Sequence, residues 1–215
     1  MALLLGAELP PRMKEPSMPN PKRDFIKLAT LGLGASALNA QAQHAPKVAK
    51  GPVLLTVSGL ISAGNRSAFD PQLDQLMGKH QVRFDKAHAF DFAAMTALPA
   101  VTIEPTLEYD AKKHVLKGPL FSEVMKAAGV RWAANLSFLV RAIDGYGVAI
   151  PAAEITNRRF IIATHLDGQP LALGGIGPLW SVYEPDRFAD VANKPLKERF
   201  ALCPWGTYQI DATAG

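Results

Sequence analysis

Two dipeptides constrain this chain more than any other feature: Asp144-Gly145 and Asp167-Gly168, each set between apolar, β-branched runs. An Asp-Gly pair accepts the left-handed backbone of a tight two-residue turn, so each predicts a β-hairpin. The first hairpin joins strands expected over residues 136–143 and 146–150. The second joins a strand over 160–166 to one at Leu171. Further strand signals lie at residues 53–58 (ending at Gly59), 101–107, 113–117, 179–183 and 208–210. Pro105 lacks an amide hydrogen, which sets the 101–107 strand at an edge or a bend.

Helical signals are few and short. Asp70-Pro71 supplies an N-cap followed by proline at the first helical position; Leu73, Leu76 and Met77 then form an apolar face, and Gly78 ends it. Asp91 caps a second short helix that stops before Pro99. Pro119 opens a third, with Leu120, Phe121, Val124, Met125 and Ala128 on one face and Gly129 at its end. Strands and helices do not alternate, which argues against a doubly wound parallel sheet. The reading is one β-rich α+β domain over residues 51–215.

Residues 22–42 have the three-part layout of an export signal: basic Lys22-Arg23, a modestly apolar stretch from Phe25 to Leu38, and the small-x-small sequence Ala40-Gln41-Ala42. The apolar stretch is shorter than the roughly 20 residues a bilayer span requires, so no stable membrane span is expected in the mature chain. Its low hydrophobicity and the K-R-D-F-I-K lead resemble a twin-arginine signal with Lys22 in place of the first arginine, which leaves the general secretory route open. A buried amphipathic helix is the other reading of this segment. Residues 1–42 are thus assigned to export, the signal proper covering about 18–42 with Met18 as the more conventional start, and 43–50 to a polar linker. The expected location is the periplasm.

Composition removes several classes of function. A single cysteine among 215 residues excludes an intrachain disulfide framework and a zinc site built on several thiolates. The formal charge of +4 is mild and no basic run exceeds two residues, so nucleic acid is not an expected partner. There is no nucleophile elbow and no phosphate loop. The histidines, at 44, 80, 88, 114 and 165, lack metal-site spacing. Cys203 reads as a small buried hydrophobe or, with a cation such as Arg199 beside it, as a reactive thiol.

Three stretches, D-G-Y-G-V-A-I-P from Asp144, I-I-A-T-H-L-D-G-Q-P-L from Ile161 and G-G-I-G-P-L-W-S-V-Y from Gly174, resemble the short exported relatives of the sulfite oxidase family, the oxidoreductase molybdopterin-binding domain proteins. G-P-V-L-L-T-V-S-G-L-I and V-L-K-G-P-L-F-S-E-V-M-K-A-A-G-V are similar to that family's first strand and to its strand, Gly-Pro and central helix. The resemblance spans roughly residues 51–212 and rests on the order and spacing of several motifs. It implies a β-rich fold with a few short helices, molybdopterin as cofactor, a small anionic substrate and a periplasmic redox partner. In that family a protein thiolate joins the two dithiolene sulfurs on molybdenum, shortly before the central helix. Here the corresponding segment, V-T-I-E-P-T-L-E-Y-D, has no cysteine, so Thr102, Glu104 or Thr106 stands near the ligand position. The N-H-x-P type pterin motif of the larger enzymes is missing, and Trp180 replaces the arginine that follows their Gly-x-Pro turn.

The resemblance also suggests a cofactor floor of Tyr146, Gly174, Gly175 and Gly177, with Arg199 as a phosphate contact. No residue receives a catalytic assignment and no protein metal ligand is assigned. Two functions follow: a molybdopterin-binding oxidoreductase-type protein with an altered cofactor site, or a cofactor-free periplasmic binding module on the same fold.

Overall fold

The computed structural model describes residues 50–215; the expected export signal and all but the last residue of the expected linker lie outside the described residues. In chain order the elements are β1 (Val53–Gly59), α1 (Gln75–Lys79), β2 (His88–Asp91), α2 (Phe92–Thr96), β3 (Ala100–Ile103), β4 (Leu116–Pro119), α3 (Phe121–Ala127), β5 (Leu136–Ala142), β6 (Gly147–Pro151), α4 (Ala152–Asn157), β7 (Ile161–Ala163), β8 (His165–Leu166), β9 (Gln169–Pro170), β10 (Trp180–Val182), α5 (Ala189–Ala192) and β11 (Thr207–Ala214). The fold is β-rich α+β, as the sequence indicated.

The largest sheet has the order β2-β1-β11-β5-β6. β1 and β11 pair in parallel, Thr56 opposite Gln209 and Ser58 opposite Asp211; every other pairing in this sheet is antiparallel. The Asp144-Gly145 hairpin forms as expected between β5 and β6. At Asp167-Gly168 both residues are left-handed, φ 49° and 80°, the pair of angles a type I′ turn requires.

That second hairpin joins only β8 and β9, because the strand expected over 160–166 breaks at Thr164. β7 pairs with β10, whereas β8 belongs to a four-stranded sheet ordered β3-β4-β8-β9. Thr164 turns its backbone N–H and its hydroxyl to the carbonyl of Lys117 (2.9 and 3.2 Å). The crossing depends on Gly118: a Cβ there would lie 2.0 Å from the carbonyl oxygen of Ile162. β3 is an edge strand and stops before Pro105, consistent with that proline's missing donor.

Asp91 caps α2 as expected, its carboxylate accepting from the N–H of Ala94 at 2.7 Å. Two helix readings need correction. Asp70 does accept from the N–H groups of Gln72 and Leu73 (2.7 and 3.1 Å), but residues 71–73 form a turn and the helix runs Gln75–Lys79. Leu73 and Leu76 are therefore not a core face: they are 81% and 42% exposed, and only Met77 is buried. Pro119 is the last residue of β4 rather than the first of α3. β2, α4, α5 and the parallel β1–β11 pairing carried no sequence signal that was read.

The main core lies on one face of the large sheet. Leu55, Val57, Phe138, Val140, Ile150 and Ile210 meet Phe121, Val124 and Met125 of α3. Phe121 and Phe138 pack edge to face with centroids 5.2 Å apart, and burying each ring contributes about 2–3 kcal/mol. The opposite face carries a polar chain. Gln209 donates to Ser58 (2.9 Å), Ser58 donates to Asp211 (2.8 Å), and Arg141 donates to Gln209. Ser58 and Gln209 are almost wholly buried, so these bonds offset desolvation that would otherwise cost about 1–3 kcal/mol per group.

Candidate functional site

Three of the residues singled out from sequence lie on or just beyond β3. Thr102 is exposed in the strand and Glu104 is exposed just beyond it. Thr106 bridges to Lys113, and its N–H donates to Asp186 at 2.7 Å. The other oxygen of Asp186 accepts from Arg199 (2.9 Å), whose Nε reaches the Lys194 carbonyl (2.8 Å). Asp186, which the sequence reading did not single out, thus brings Thr106 and Arg199 to one carboxylate. Nothing in the spacing of positions 106, 186 and 199 signals this.

The strap carrying Arg199 and Cys203 is tied down by three aromatic side chains. Tyr146 donates to the Ala201 carbonyl (2.7 Å), Tyr183 to the Arg199 carbonyl (3.0 Å) and Trp180 to the Cys203 carbonyl (2.9 Å). Below it Glu108, Tyr146, Lys197 and Cys203 line a pocket of about 140 Å³. Burial pushes the Cys203 thiol well above the ordinary range, so it stays protonated, matching the reading of a small buried hydrophobe. Burial likewise pushes Tyr183 up to about 12.

Gly174, Gly175 and Gly177 do not line this pocket, although the carbonyl of Ile176 among them accepts from the N–H of Gly206, just past the strap (3.1 Å). Their loop follows β9, and the N–H groups of Gly175 and Gly177 both turn to the Ala172 carbonyl at 3.2 Å. The loop's Leu173 and Pro178 line a second, larger cavity that shares no lining residue with the pocket under Tyr146.

The residues near Thr106 do not fit a molybdenum centre held by a protein thiolate. The one thiol is buried and protonated, and Tyr146 and Arg199 are bonded within the chain. The pockets bordering this segment, about 140 Å³ at Glu108 and about 290 Å³ at Thr102, also do not exceed the lower end of the roughly 300–1,000 Å³ that cofactor sites occupy. Among the described residues no group of three or more His, Cys, Asp and Glu side chains is arranged to hold a metal.

The larger cavity is a cleft of about 840 Å³ on the polar face of the main sheet. β1 gives it Leu54 and Thr56, β11 gives Tyr208, and α1 gives Gln75, Leu76 and Met77. Arg66 donates to the Thr56 hydroxyl (2.8 Å), pairs with Asp74 and lies over the Phe84 ring at 5.2 Å. Asp74 also accepts from the N–H of Asp70 (2.9 Å). Tyr208 bonds the Nδ1 of His80 at 2.8 Å. Val53, Leu73, Leu76 and Leu173 stand on the rim, Leu73 81% and Leu173 72% exposed. The cleft thus combines apolar walls with polar groups and one internally neutralised ion pair, the ordinary make-up of a small-molecule site. Asp70-Pro71 signalled a helix start rather than the turn that presents Leu73, and no pattern linked it to Arg66.

A third polar group lies apart from both cavities. His114 bonds Asp167 through Nδ1 (2.7 Å) and Asp110 through Nε2 (3.0 Å), tying the Asp167-Gly168 turn to the loop before β4. Its two carboxylate partners raise the His114 pKa, and His114 lowers those of Asp110 and Asp167.

No protein-family model and no curated protein sequence matches the chain. Among solved structures, the sulfane dehydrogenase SoxCD from Paracoccus pantotrophus resembles it with a TM-score of 0.46 and 13% identity, over 74% of this chain and 37% of that one. The chain therefore spans little more than a third of that neighbour.

Proposed function

We propose that the chain is an exported, periplasmic domain of the oxidoreductase molybdopterin-binding type that works as a ligand-binding module, with the cleft around Arg66 and Asp74 as its working surface. The observation that carries this reading is a contrast of volumes. The cleft measures about 840 Å³, whereas the two pockets bordering the expected metal-ligand segment measure about 290 Å³ at Val101, Thr102 and Ile103 and about 140 Å³ at Glu108. The cleft's two charges cancel within it, which suits an uncharged ligand with an apolar body and one or two hydrogen-bonding groups. Leu73 and Leu173 supply the apolar contact.

A second reading, a molybdopterin-dependent oxidoreductase acting on a small anion with a periplasmic redox partner, is favoured by the motif order over residues 51–212. Thr106 and Arg199 add to it, since an N–H and a guanidinium that hold a carboxylate have the chemistry to hold another oxyanion.

One preparation separates the two. The protein is purified from a host that makes the cofactor, assayed for molybdenum and pterin, and titrated with the neutral fluorophore N-phenyl-1-naphthylamine. The binding module contains neither metal nor pterin and takes up the fluorophore saturably, with affinity lowered about tenfold in a Leu73→Ser, Leu173→Ser double variant. Stoichiometric molybdenum with pterin overturns this reading in favour of the oxidoreductase and makes Thr102, Glu104 and Thr106 the first positions to substitute.

A further inference from the structure

We propose that the pocket between α3 and α4 binds a small carboxylic acid with an aromatic-sized apolar body, its carboxylate held by Arg159. The site is separate from the cleft and does not depend on the function proposed for it.

The pocket measures about 260 Å³ and is lined by Leu120, Ser122, Trp132, Ile155, Arg159 and Phe160, among others. A cavity of about 150 Å³ suffices for benzene in an apolar interior, so a phenyl group with a short carboxylate arm fits this space. Trp132 is 37% exposed and stacks on Phe138 beneath it, with centroids 5.0 Å apart and planes 25° apart. The stack holds the indole in place, leaving a rigid aromatic wall partly open to solvent.

Arg159 is, among the described residues, the only charged side chain lining this pocket. Among the described residues its guanidinium has no hydrogen-bond, ion-pair or ring partner. Its neighbour Arg158 differs on every count: it is bonded to Glu154 and Asp190 and lies over the Tyr183 and Phe188 rings at 5.3 and 5.2 Å. An arginine that lines an apolar pocket and has no acidic partner among the described residues is able to receive a carboxylate through two parallel N–H···O bonds.

The backbone supplies an independent sign. α4 ends in a Schellman motif: the N–H of Phe160 bonds the Ile155 carbonyl (3.1 Å) and the N–H of Arg159 bonds the Thr156 carbonyl (3.2 Å). The motif requires a left-handed residue at position 159, where φ is 54°, and glycine occupies such positions without steric cost. An arginine there is disfavoured by the backbone, yet Arg159 lines two cavities, this one and one bordered by Thr102 and Arg187.

The test titrates the full chain with 3-phenylpropanoate, benzoate and the neutral benzyl alcohol, followed by calorimetry and by tryptophan fluorescence, with Trp132→Phe to assign the signal. The carboxylates bind saturably and at least about tenfold more tightly than the alcohol, and Arg159→Gly abolishes that difference. Because glycine suits this backbone, the variant melts no lower than the parent, so lost binding does not reflect unfolding. Carboxylate binding that persists unchanged in Arg159→Gly overturns the proposal. So does equal affinity for alcohol and carboxylate in the parent, or no saturable binding of either carboxylate.

Discussion

α3 and α4 end in the same way with different residues. At each, the chain closes a Schellman motif: Val130 to Met125 (2.9 Å) and Gly129 to Lys126 (3.0 Å) after α3, Phe160 to Ile155 and Arg159 to Thr156 after α4. α1 repeats it, with Val82 bonded to Met77 (2.9 Å) and Gln81 to Gly78 (3.2 Å). The left-handed residue is glycine at 129, arginine at 159 and glutamine at 81. The difference lies in the surroundings. A Cβ on Gly129 would sit 2.7 Å from the Ser62 hydroxyl, whereas Gln81 and Arg159 are exposed. Position 129 is fixed as glycine twice over, by backbone angle and by space. Positions 81 and 159 tolerate a side chain at a conformational cost.

Breaking the comparison at its tightest point gives the largest effect. Gly129→Ala is expected to lower stability by about 2 kcal/mol, part from the left-handed backbone and part from displacing Ser62. In urea unfolding, adding Ser62→Ala recovers the second part only; full recovery would show that the backbone angle contributes nothing. Arg159→Gly acts in the opposite direction, raising stability by about 0.5–1 kcal/mol. Gln81→Gly sharpens the same contrast with a gain of about 0.5 kcal/mol, smaller because α1 has a single buried residue to anchor it. A loss at either position would mean that the side chain there holds the helix end.

The smallest effect concerns Asp167, where a left-handed residue is secured by side-chain bonds. Its carboxylate accepts from the N–H of Val115 (2.9 Å) and bonds His114. The His114 pKa is raised, so its contribution is complete below its ordinary value of about 6.5 and is lost as pH rises through the folded value. The Asp110 and Asp167 values are lowered, so theirs is complete above about 4 and is lost as pH falls through the folded values. The melting temperature of the parent minus that of His114→Gln is therefore expected to be greatest between about pH 4 and 6.5 and to shrink at pH 8. A difference that does not vary with pH would remove the ionic bridge from the account.

Local chemistry was legible in the sequence where it was self-contained. Asp144-Gly145, Asp167-Gly168, the Asp91 cap and Gly129 act within a few residues, and each was read correctly. What the sequence hid was set by distant partners. The strand expected over 160–166 looked continuous because nothing within it announces that Gly118 allows β4 to cross at Ile162. Leu73 and Leu76 looked like a core face because helical spacing says neither where so short a helix begins nor which way it is turned. The same holds for the sites. Thr106 and Arg199 were both named, but the carboxylate that joins them was not, and Arg66, Asp74 and Arg159 lie outside every motif.

β11 occupies the middle of the largest sheet, between β1 and β5, although its residues follow all the others described. The order of synthesis and the order of assembly are therefore opposed. Until residue 207 is available, β1 and β5 each present an open edge toward a gap one strand wide, and every sheet contact across that gap spans either some 150 positions or some 70. Such a sheet closes late and slowly, because distant segments must meet before either gains a partner. For a chain expected to cross a membrane, this delay is useful to a carrier that handles extended polypeptide and a burden for one that waits for a finished fold.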